Sequence, residues 1–474
     1  MTKQRKGVSA RAKFYPLLAL LAVTLAVRLP LLPLTAHLSG DYSDGLIFKQ
    51  WAALIYEHGL ANVYEDPEVN YIGYNYFLWA TGLAYGWLSP GFDTSSFRLD
   101  LLVKASPVLF DLLLVWATFA VSSHLLKSRP DVVDAAVSRF PALRRLPMTP
   151  GVSLALLPAA AVAFAPALVY DSAVWGQTDG IITFFILTAV FALATGRPAP
   201  AFFLWAVGFA IKPQPLFVLP LLIAFVWWQW RWTGLGKAFI GAVAGVGLMY
   251  GYWLANGKAA ELLHVYETLF TPQPTLSMQA WNLWWLPAIH THPLPDDTLL
   301  SIAGASLSYK NASILVFGAA ALLALAYLQR RRDLTGLLEA CAFMAFAFYM
   351  LPVSVHERYL YPFFVLAAPM LVIRPRWLLL YAPLSVTFFL NVFIVGPAYK
   401  PFATRYLYSE LTVGVAALHT LVFAVLCLAL LRAALPPLSA SLVARLARTR
   451  ARVPAAGSRA GWADVQEERP ASSR

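Results

Sequence analysis

The stretch that decides the fold is YPLLALLAVTLAVRLPLLPL (residues 15–34), followed by TAHLSGDYSDGLIFKQWAALIYEHGL (residues 35–60). The first segment contains one charged residue, Arg28, and a run of about 20 apolar residues is long enough to cross the hydrocarbon core of a bilayer. Asp41 and Asp44 follow in the second segment, ahead of residues with the apolar periodicity of a helix. The pattern predicts a membrane span whose exit leads into an amphipathic interfacial helix that carries acids at its start.

The composition of the whole chain extends this prediction. Of 474 residues, 59% are hydrophobic and 13% are charged, whereas soluble proteins carry about a quarter charged residues. We therefore predict an all-α polytopic membrane protein with about twelve transmembrane helices (11–13). The first span is too long for the apolar core of a signal peptide and is interpreted as uncleaved. The predicted spans are 15–34, 103–125, 150–170, 180–196, 199–212, 214–230, 237–255, 311–329, 335–352, 359–374, 377–397 and 410–432.

The fifth and sixth predicted spans have two interpretations. The segment AIKPQPLF (residues 210–217) is compatible with a kink in one helix, because proline breaks the helical hydrogen-bond ladder. However, GRPAP before it and RWTGLGK after it both resemble cytoplasmic loops. This favours two crossings, with Lys212 near the outer face.

The net charge of +12 is concentrated in alternate loops. This is the positive-inside pattern, and it predicts that the N- and C-termini are both cytoplasmic. The bilayer is therefore the partner of the basic residues, and nucleic acid is not expected. Most of the lysines and arginines lie in residues 1–13, 127–148, 197, 231–237, 330–332, 374–376 and 432–474.

The same topology defines the domain organisation. Residues 1–433 are predicted to form one transmembrane domain, with large extracytoplasmic loops at 35–102 and 256–310. Residues 131–148 are interpreted as an amphipathic surface segment. Residues 434–474, rich in Ala, Arg, Pro and Ser, are predicted to be a disordered cytoplasmic tail.

Several short polar segments of the outer face contain the candidate functional residues. In VYDSAVWGQTDG (residues 169–180), Trp175 and Asp179 have the i,i+4 spacing of one helical face, and Gln177 lies between them. Polar groups at membrane depth are costly and often line cavities. Asp111 is a further intramembrane acid with no partner that the sequence identifies.

The segment SVHERYLYPFF (residues 354–364) contains His356, Glu357 and Arg358 in succession. One interpretation is an interfacial ion pair. The other is an anion clamp, because arginine holds phosphate in a bidentate manner. Lys212 and Arg405 would add cations to the same outer site.

Metal chemistry has little support in the sequence. The Trp-rich segment SMQAWNLWWLPAIHTHP (residues 277–293) contains Asn282, His290 and His292, whose i,i+2 histidines are more often plain loop residues than metal ligands. Nucleotide-binding and zinc motifs are absent, and the two cysteines are isolated. No cofactor is expected, and dependence on a divalent metal stays open.

The outer-face motifs, taken in order, resemble those of the GT-C glycosyltransferases. They are FxxWA, GYxYxLW, WGQxD, KPQ, AxNLWWL and HERYL, and the resemblance extends over about residues 15–400. The nearest groups are bacterial relatives of the GPI-anchor mannosyltransferases and of the dolichyl-phosphate-glucose-dependent glucosyltransferases. The resemblance implies the GT-C fold in a bacterial cytoplasmic (inner) membrane, with an extracytoplasmic active site. It also implies transfer of a sugar from a polyprenyl-phosphate carrier, usually with inversion.

The resemblance assigns roles to individual residues. The catalytic acid of the family precedes the helix tryptophan by seven positions, which corresponds here to Asp44 before Trp51 rather than to Asp41. The family histidine corresponds to His356, and the WGQxD residues are Trp175, Gln177 and Asp179. Tyr74 fits the second aromatic motif. The acid and proline pair that often precede that motif are absent, and Val69 stands at the acid position.

The chemistry of a phosphate leaving group agrees with a single catalytic carboxylate. A glycosidase needs a second carboxyl group to protonate a poor leaving group, whereas phosphate leaves as a stable anion. We therefore expect Asp44 to act as the general base toward the acceptor hydroxyl. We expect His356, Arg358, Lys212 and Arg405 to hold the phosphate, in loops separate from the acid. Asp41, Tyr74, Trp175, Gln177, Asp179 and Asn282 are further active-site candidates.

The predicted function is transfer of one hexose, mannose or glucose, to a lipid or glycan acceptor. Two alternatives share the topology. A flippase or transporter of a lipid-linked sugar predicts broken helices and repeat symmetry, and no repeat is visible in the sequence. A polymerase or ligase moving whole oligosaccharides differs only in its donor.

Overall fold

The architecture is a helical bundle in which short 3₁₀ segments join many of the helices. A computed structural model describes residues 10–35, 44–66, 68–146, 148–271, 273–302, 304–397 and 409–435. The helices, in chain order, are α1 (Ala10–Arg28), α2 (Asp44–His58), α3 (Asn75–Leu88), α4 (Phe97–Ser128), α5 (Pro130–Arg139), α6 (Pro150–Phe164), α7 (Pro166–Val169), α8 (Asp179–Ala194), α9 (Pro198–Ile211), α10 (Leu219–Ala255), α11 (Ala259–Phe270), α12 (Trp285–Thr291), α13 (Tyr309–Arg330), α14 (Leu334–Met350), α15 (Tyr361–Ala367), α16 (Met370–Ile373), α17 (Leu378–Val395) and α18 (Glu410–Ala434).

The described strands are short. β1 (Ser277–Met278) pairs in parallel with β4 (Val355–His356), and β2 (Thr298–Ile302) pairs antiparallel with β3 (Ala305–Ser308). The predicted all-α class is confirmed apart from these two small sheets. The β1–β4 pair matters for the site, because it joins the predicted loop 256–310 to the segment that contains His356.

The described residues include six helical stretches that are long and apolar enough to cross a membrane, or seven if α6 and the bent segment after it form one span. A multi-pass membrane protein is therefore confirmed, whereas a count of twelve spans stays a prediction. Most of the predicted spans fall on helices, but α8, α9 and α14 are shorter apolar helices, and the predicted span 359–374 is divided between the short helices α15 and α16. The candidate spans are Tyr15–Thr35, Phe97–Ser128, Gln214–Ala255, Tyr309–Arg330, Pro375–Val395 and Glu410–Ala434.

The predicted boundary between spans 214–230 and 237–255 coincides with a sharp kink in α10. At Arg231 the backbone leaves helical geometry (φ 54°, ψ −138°), so α10 consists of two helices joined at this residue. Residues 232–237, expected to be a loop, lie in the second of these helices. The arm after the bend packs closely on α9. A Cβ atom added to Gly241 would lie 2.0 Å from the carbonyl oxygen of Ala199, so no larger residue fits at this crossing.

Asp111 is held in a buried network in the middle of α4. Arg28 Nε lies 2.5 Å from its Oδ2 atom, Ser172 Oγ donates to the same oxygen at 2.5 Å, and the Tyr361 hydroxyl donates to Oδ1 at 3.0 Å. Arg28 also donates to the carbonyl oxygen of Ala163 at 2.9 Å. Asp111, for which the sequence identified no partner, therefore forms a structural ion pair with Arg28 that joins α4 to α1. Its hydrogen bond from Tyr361 adds α15 to this contact.

The two predicted outer loops contain secondary structure. The first, 35–102, contains α2 and α3, so helices occur there as predicted, whereas their interfacial position stays a prediction; the second, 256–310, contains α11, α12 and the β2–β3 hairpin. The predicted tail at 434–474 lies outside the described residues, apart from residues 434 and 435.

Candidate active site

Asp44 is the first residue of α2 and lies at the edge of a cavity of about 380 Å³. A helix N-terminus favours negative charge, because its first amide groups are not bonded within the helix. The carboxylate is about one third exposed (32%) and faces the cavity. Trp175, His356, Glu357 and Arg358 line the same cavity.

Two neighbours contact the same oxygen of the Asp44 carboxylate. The Gln177 side-chain amide donates to Oδ2 at 2.5 Å, and Arg358 Nη2 lies 3.2 Å from it. Both of these contacts are made to Oδ2 rather than to Oδ1. The carboxylate is therefore oriented by a buried amide and a buried cation, while its exposed part faces the cavity.

The backbone around Trp175 explains how Gln177 reaches Asp44. Residues Tyr170–Trp175 form a π-helix, an uncommon turn that often marks a functional site. Gly176 follows with φ 79°, a left-handed conformation that glycine adopts without strain, and ends the turn. The prediction that Trp175 and Asp179 lie on one helical face is wrong for this reason, since Asp179 begins α8.

Arg358 is the centre of the electrostatic arrangement. Besides Asp44, its guanidinium contacts Glu357 Oε1 at 2.7 Å and approaches Asp179 Oδ2 at 3.6 Å, the latter an ion-pair distance rather than a hydrogen bond. It lies over the Trp175 ring at 5.3 Å. Burial disfavours the charged guanidinium, but the charges of Asp44, Glu357 and Asp179 outweigh it and raise its pKa well above the usual value.

Glu357 is buried (2% exposed) beside Arg358, and its charge is retained. Burial alone would raise the pKa of this carboxyl, but the Arg358 charge and the contact with His356 outweigh burial and lower the pKa to about 2. The His356 imidazole lies 3.7 Å from Glu357 Oε2 and is itself 29% exposed toward the cavity.

Lys212 is buried and does not line the cavity, in contrast to His356, Glu357 and Arg358. Its ammonium is 1% exposed and contacts both Asp179 oxygens, at 3.1 and 3.3 Å. The rings of Tyr359 and Tyr71 lie 4.9 and 5.6 Å from it. Pro213 disfavours helical geometry in the residue before it, and Lys212 is extended at the end of α9, which turns its side chain toward Asp179.

Further residues that line the cavity come from the segment 275–292, which includes β1 and α12. Thr275, Ser277 and Gln279 contribute polar atoms there, and Trp285 and His292 contribute rings. The HERYL segment is fixed to this segment by pairing of Met278 with His356.

The structure thus brings together seven of the sequence candidates, two others lie elsewhere, and two lie outside the described residues. Tyr74 is buried against Phe48, with ring centroids 5.0 Å apart, outside the cavity lining. Asn282 holds a turn, donating to the carbonyl oxygen of Tyr349 and accepting from the amides of Trp284 and Trp285. Asp41 and Arg405 lie outside the described residues. The seven residues brought together are Asp44, Trp175, Gln177, Asp179, Lys212, His356 and Arg358.

From the sequence we expected the catalytic acid and the cations to lie apart in separate loops, and the structure differs from this expectation. Asp44 is in direct contact with Arg358, and Glu357, which was not among the candidates, is the closest carboxylate to that guanidinium. The position of Glu357 between His356 and Arg358 was the available signal. Asp171 was also missed; both of its carboxylate oxygens are buried and accept no hydrogen bond from the described residues.

Comparisons with known proteins leave the family open. No protein-family model matches the chain, and no curated protein is significantly similar to it. Within the described residues, no group of three His, Cys, Asp or Glu side chains converges as a set of metal ligands.

Proposed function

We propose that this protein is a membrane glycosyltransferase of the GT-C type. It transfers one hexose, mannose or glucose, from a polyprenyl-phosphate carrier to a lipid or glycan acceptor, with inversion. One observation carries the proposal: a partly exposed carboxylate, Asp44, and a buried guanidinium, Arg358, lie 3.2 Å apart at the wall of one cavity at the end of the helical bundle. A base and an anion-binding cation are the two groups that this transfer needs.

Asp44 is the general base. Its Oδ2 atom is engaged by Gln177 and Arg358, so the acceptor hydroxyl is bound by Oδ1, the other carboxylate oxygen. The hydroxyl oxygen attacks the anomeric carbon while its proton passes to Asp44, and the bond from that carbon to the phosphate oxygen breaks. No general acid is required, because the phosphate leaves as an anion.

Arg358 and His356 bind the departing phosphate. Arg358 already faces Asp44, Asp179 and Glu357, so the phosphate enters by replacing one of these contacts. Asp44 is the partner that gives way, since its side chain is 32% exposed whereas Asp179 and Glu357 are buried. Release from Arg358 also makes Asp44 a stronger base, because a neighbouring cation stabilises the ionised carboxylate.

Lys212 and Asp179 act on Arg358 from behind rather than on the substrate. A buried ion pair needs satisfied contacts to be stable, and Lys212 has two carboxylate contacts and two aromatic faces. This arrangement holds Asp179 against the guanidinium. We therefore assign Lys212 a positioning role in place of the phosphate contact that the sequence predicted.

The proposed topology follows from the helix directions. Val395 and Pro397, at the end of α17, line the cavity, whereas the basic residues Arg374 and Arg376 precede its start. Positive residues favour the cytoplasmic side. The cavity then faces the extracytoplasmic side of a bacterial inner membrane, where a lipid-linked donor reaches it from the bilayer.

The donor class can be tested directly. Membranes containing the protein, and matched membranes without it, are incubated with defined polyprenyl-phosphate mannose, glucose and arabinose, and donor consumption is followed. We expect one hexose donor to be consumed only with the protein present. Movement of intact donor across proteoliposomes with no loss of sugar would support a flippase and overturn the proposal.

A further inference from the structure

A second cavity, of about 450 Å³, lies at the opposite end of the bundle, between α4 and α6. Lys104, in the first part of α4, bonds to Thr35, which in turn bonds to Val174 beside the candidate active site. This second cavity, called the groove from here on, is lined by residues 119–127 near the end of α4 and by residues 149–152 at the start of α6. The two cavities therefore lie at different ends of α4.

The position of the groove matches the depth of a lipid headgroup. α4 has 32 residues, which corresponds to about 48 Å, longer than the ~30 Å hydrocarbon core. A span that begins near the candidate active site therefore reaches the opposite headgroup layer in its last turns. Phe119, Leu126 and Val152 give the groove an apolar floor, and Lys127 is an exposed cation at its rim.

Two features of the groove favour an anion, and a third leaves room for one. The Ser123 hydroxyl oxygen is buried, lines the groove and has no hydrogen-bond partner among the described residues. The groove includes the start of α6, whose N-cap Thr149 makes no side-chain capping bond, so the positive end of the helix is uncapped by it. An added Cβ atom on Gly151 would meet no heavy atom within 4 Å, so the space beside this turn is open.

The surroundings of the groove are basic. α5 and the 3₁₀ turn Pro141–Arg144 pack against α6, and α5 also packs against α4. This segment carries exposed arginines at 139, 144 and 145 together with exposed apolar Phe140 and Leu146. Cations beside exposed apolar side chains are typical of a segment that lies on an anionic membrane surface.

We propose that this groove binds one anionic phospholipid. The headgroup phosphate contacts Lys127, the Ser123 hydroxyl and the first turn of α6, and the upper part of one acyl chain lies on the apolar floor. The occupant is a lipid because the groove opens at headgroup depth and combines a phosphate site with an apolar surface. This inference does not depend on the proposed transfer reaction.

The experiment counts lipids on the purified full-length chain. Native mass spectrometry in detergent measures retention of phosphatidylglycerol and phosphatidylcholine by the wild type. Lys127→Gln removes the cation, and Gly151→Leu fills the groove without a backbone clash. Lys237→Gln and Gly236→Leu are matched controls, since both residues are exposed on α10 outside this groove and an added Cβ on Gly236 also meets open space.

We expect the wild type to retain phosphatidylglycerol about fivefold better than phosphatidylcholine, the effect of about one cation at a membrane surface. Lys127→Gln and Gly151→Leu abolish this preference, and both controls keep it. Equal retention of the two lipids by the wild type overturns the proposal, as does an equal loss in Lys127→Gln and Lys237→Gln. Thermal stabilisation by inorganic phosphate as large as that by phosphatidylglycerol also overturns it.

Discussion

Asp44 and Arg358 are more than 300 positions apart in the sequence, yet Asp44 Oδ2 and Arg358 Nη2 lie 3.2 Å apart. The contact joins α2 to the 3₁₀ helix Glu357–Leu360 across the cavity wall. It brings the proposed base into contact with the proposed phosphate ligand before any substrate is bound. The arrangement predicts that the positions of both side chains depend on the residues that contact them.

Gln177 is the neighbour that orients the base. Replacing Gln177 with Leu removes the hydrogen bond to Asp44 Oδ2, and a hydrogen bond to a charged group contributes about 1.5–3 kcal/mol. We expect sugar transfer to fall roughly 10- to 100-fold, while the amount of folded protein stays unchanged. Initial transfer rates in membranes measure this.

The matched control for Gln177→Leu is Gln214→Leu. Gln214 is also a buried glutamine, but its side-chain oxygen and nitrogen have no hydrogen-bond partner among the described residues. Its replacement should leave transfer near the wild-type rate. Similar losses in the two variants would show that any buried glutamine at this depth matters, and would remove the orienting role of Gln177.

Arg358 should be essential for stability as well as activity. Arg358→Gln leaves Glu357 without its buried cation and removes one of the two cations beside Asp179, and breaking a buried ion pair costs about 3–5 kcal/mol. We expect a large fall in unfolding temperature in detergent. Arg129→Gln is the control, because the Arg129–Asp131 pair is exposed and screened by solvent, and should change stability little.

The Arg28–Asp111 pair gives a test of the fold that is independent of the site. Asp111→Leu alone strands a buried guanidinium and should cost about 3–5 kcal/mol. The double variant Arg28→Leu/Asp111→Leu should recover most of that loss, because neither charge then stays buried. Unfolding of the four proteins in detergent forms the cycle. Equal stability of the single and double variants would contradict the ion-pair assignment.

Glu357 predicts a specific acid dependence of stability. Its pKa is about 2 in the folded protein, against a usual value of 4.5. Because the folded value is the lower one, the stabilisation is present above pH 4.5 and is lost as the pH falls through 2. The contribution is on the order of 3 kcal/mol. Stability measured between pH 5 and 2 should decline less steeply for Glu357→Gln than for the wild type; parallel curves would contradict this.

The helices were predictable from the sequence, because apolar runs of about 20 residues identify membrane segments without knowledge of their packing. The helical conformation of residues 232–237 was not predicted, because Gly and Lys in that segment resemble a loop. Similarly, Asp111 had no partner in the sequence because Arg28 meets it only after α1 and α4 pack together.

The candidate site was predictable as a set of residues but not as a set of contacts. Motif spacing identified Asp44, Gln177 and Arg358. Which cation faces which acid depends on how the loops meet, so the burial of Lys212 against Asp179 was not foreseeable. Asn282 was misjudged because a buried asparagine that holds a turn has the same local sequence as one that binds a ligand.

The most direct test of the proposed mechanism compares Asp44→Asn with Asp41→Asn. Both variants are assayed in membranes for transfer from the polyprenyl-phosphate sugar that the wild type consumes, at matched expression. Asparagine keeps the shape of the side chain but cannot accept the acceptor proton. We expect Asp44→Asn to abolish transfer and Asp41→Asn to have a milder effect. Near-wild-type transfer in both variants would contradict the assignment of Asp44 as the base.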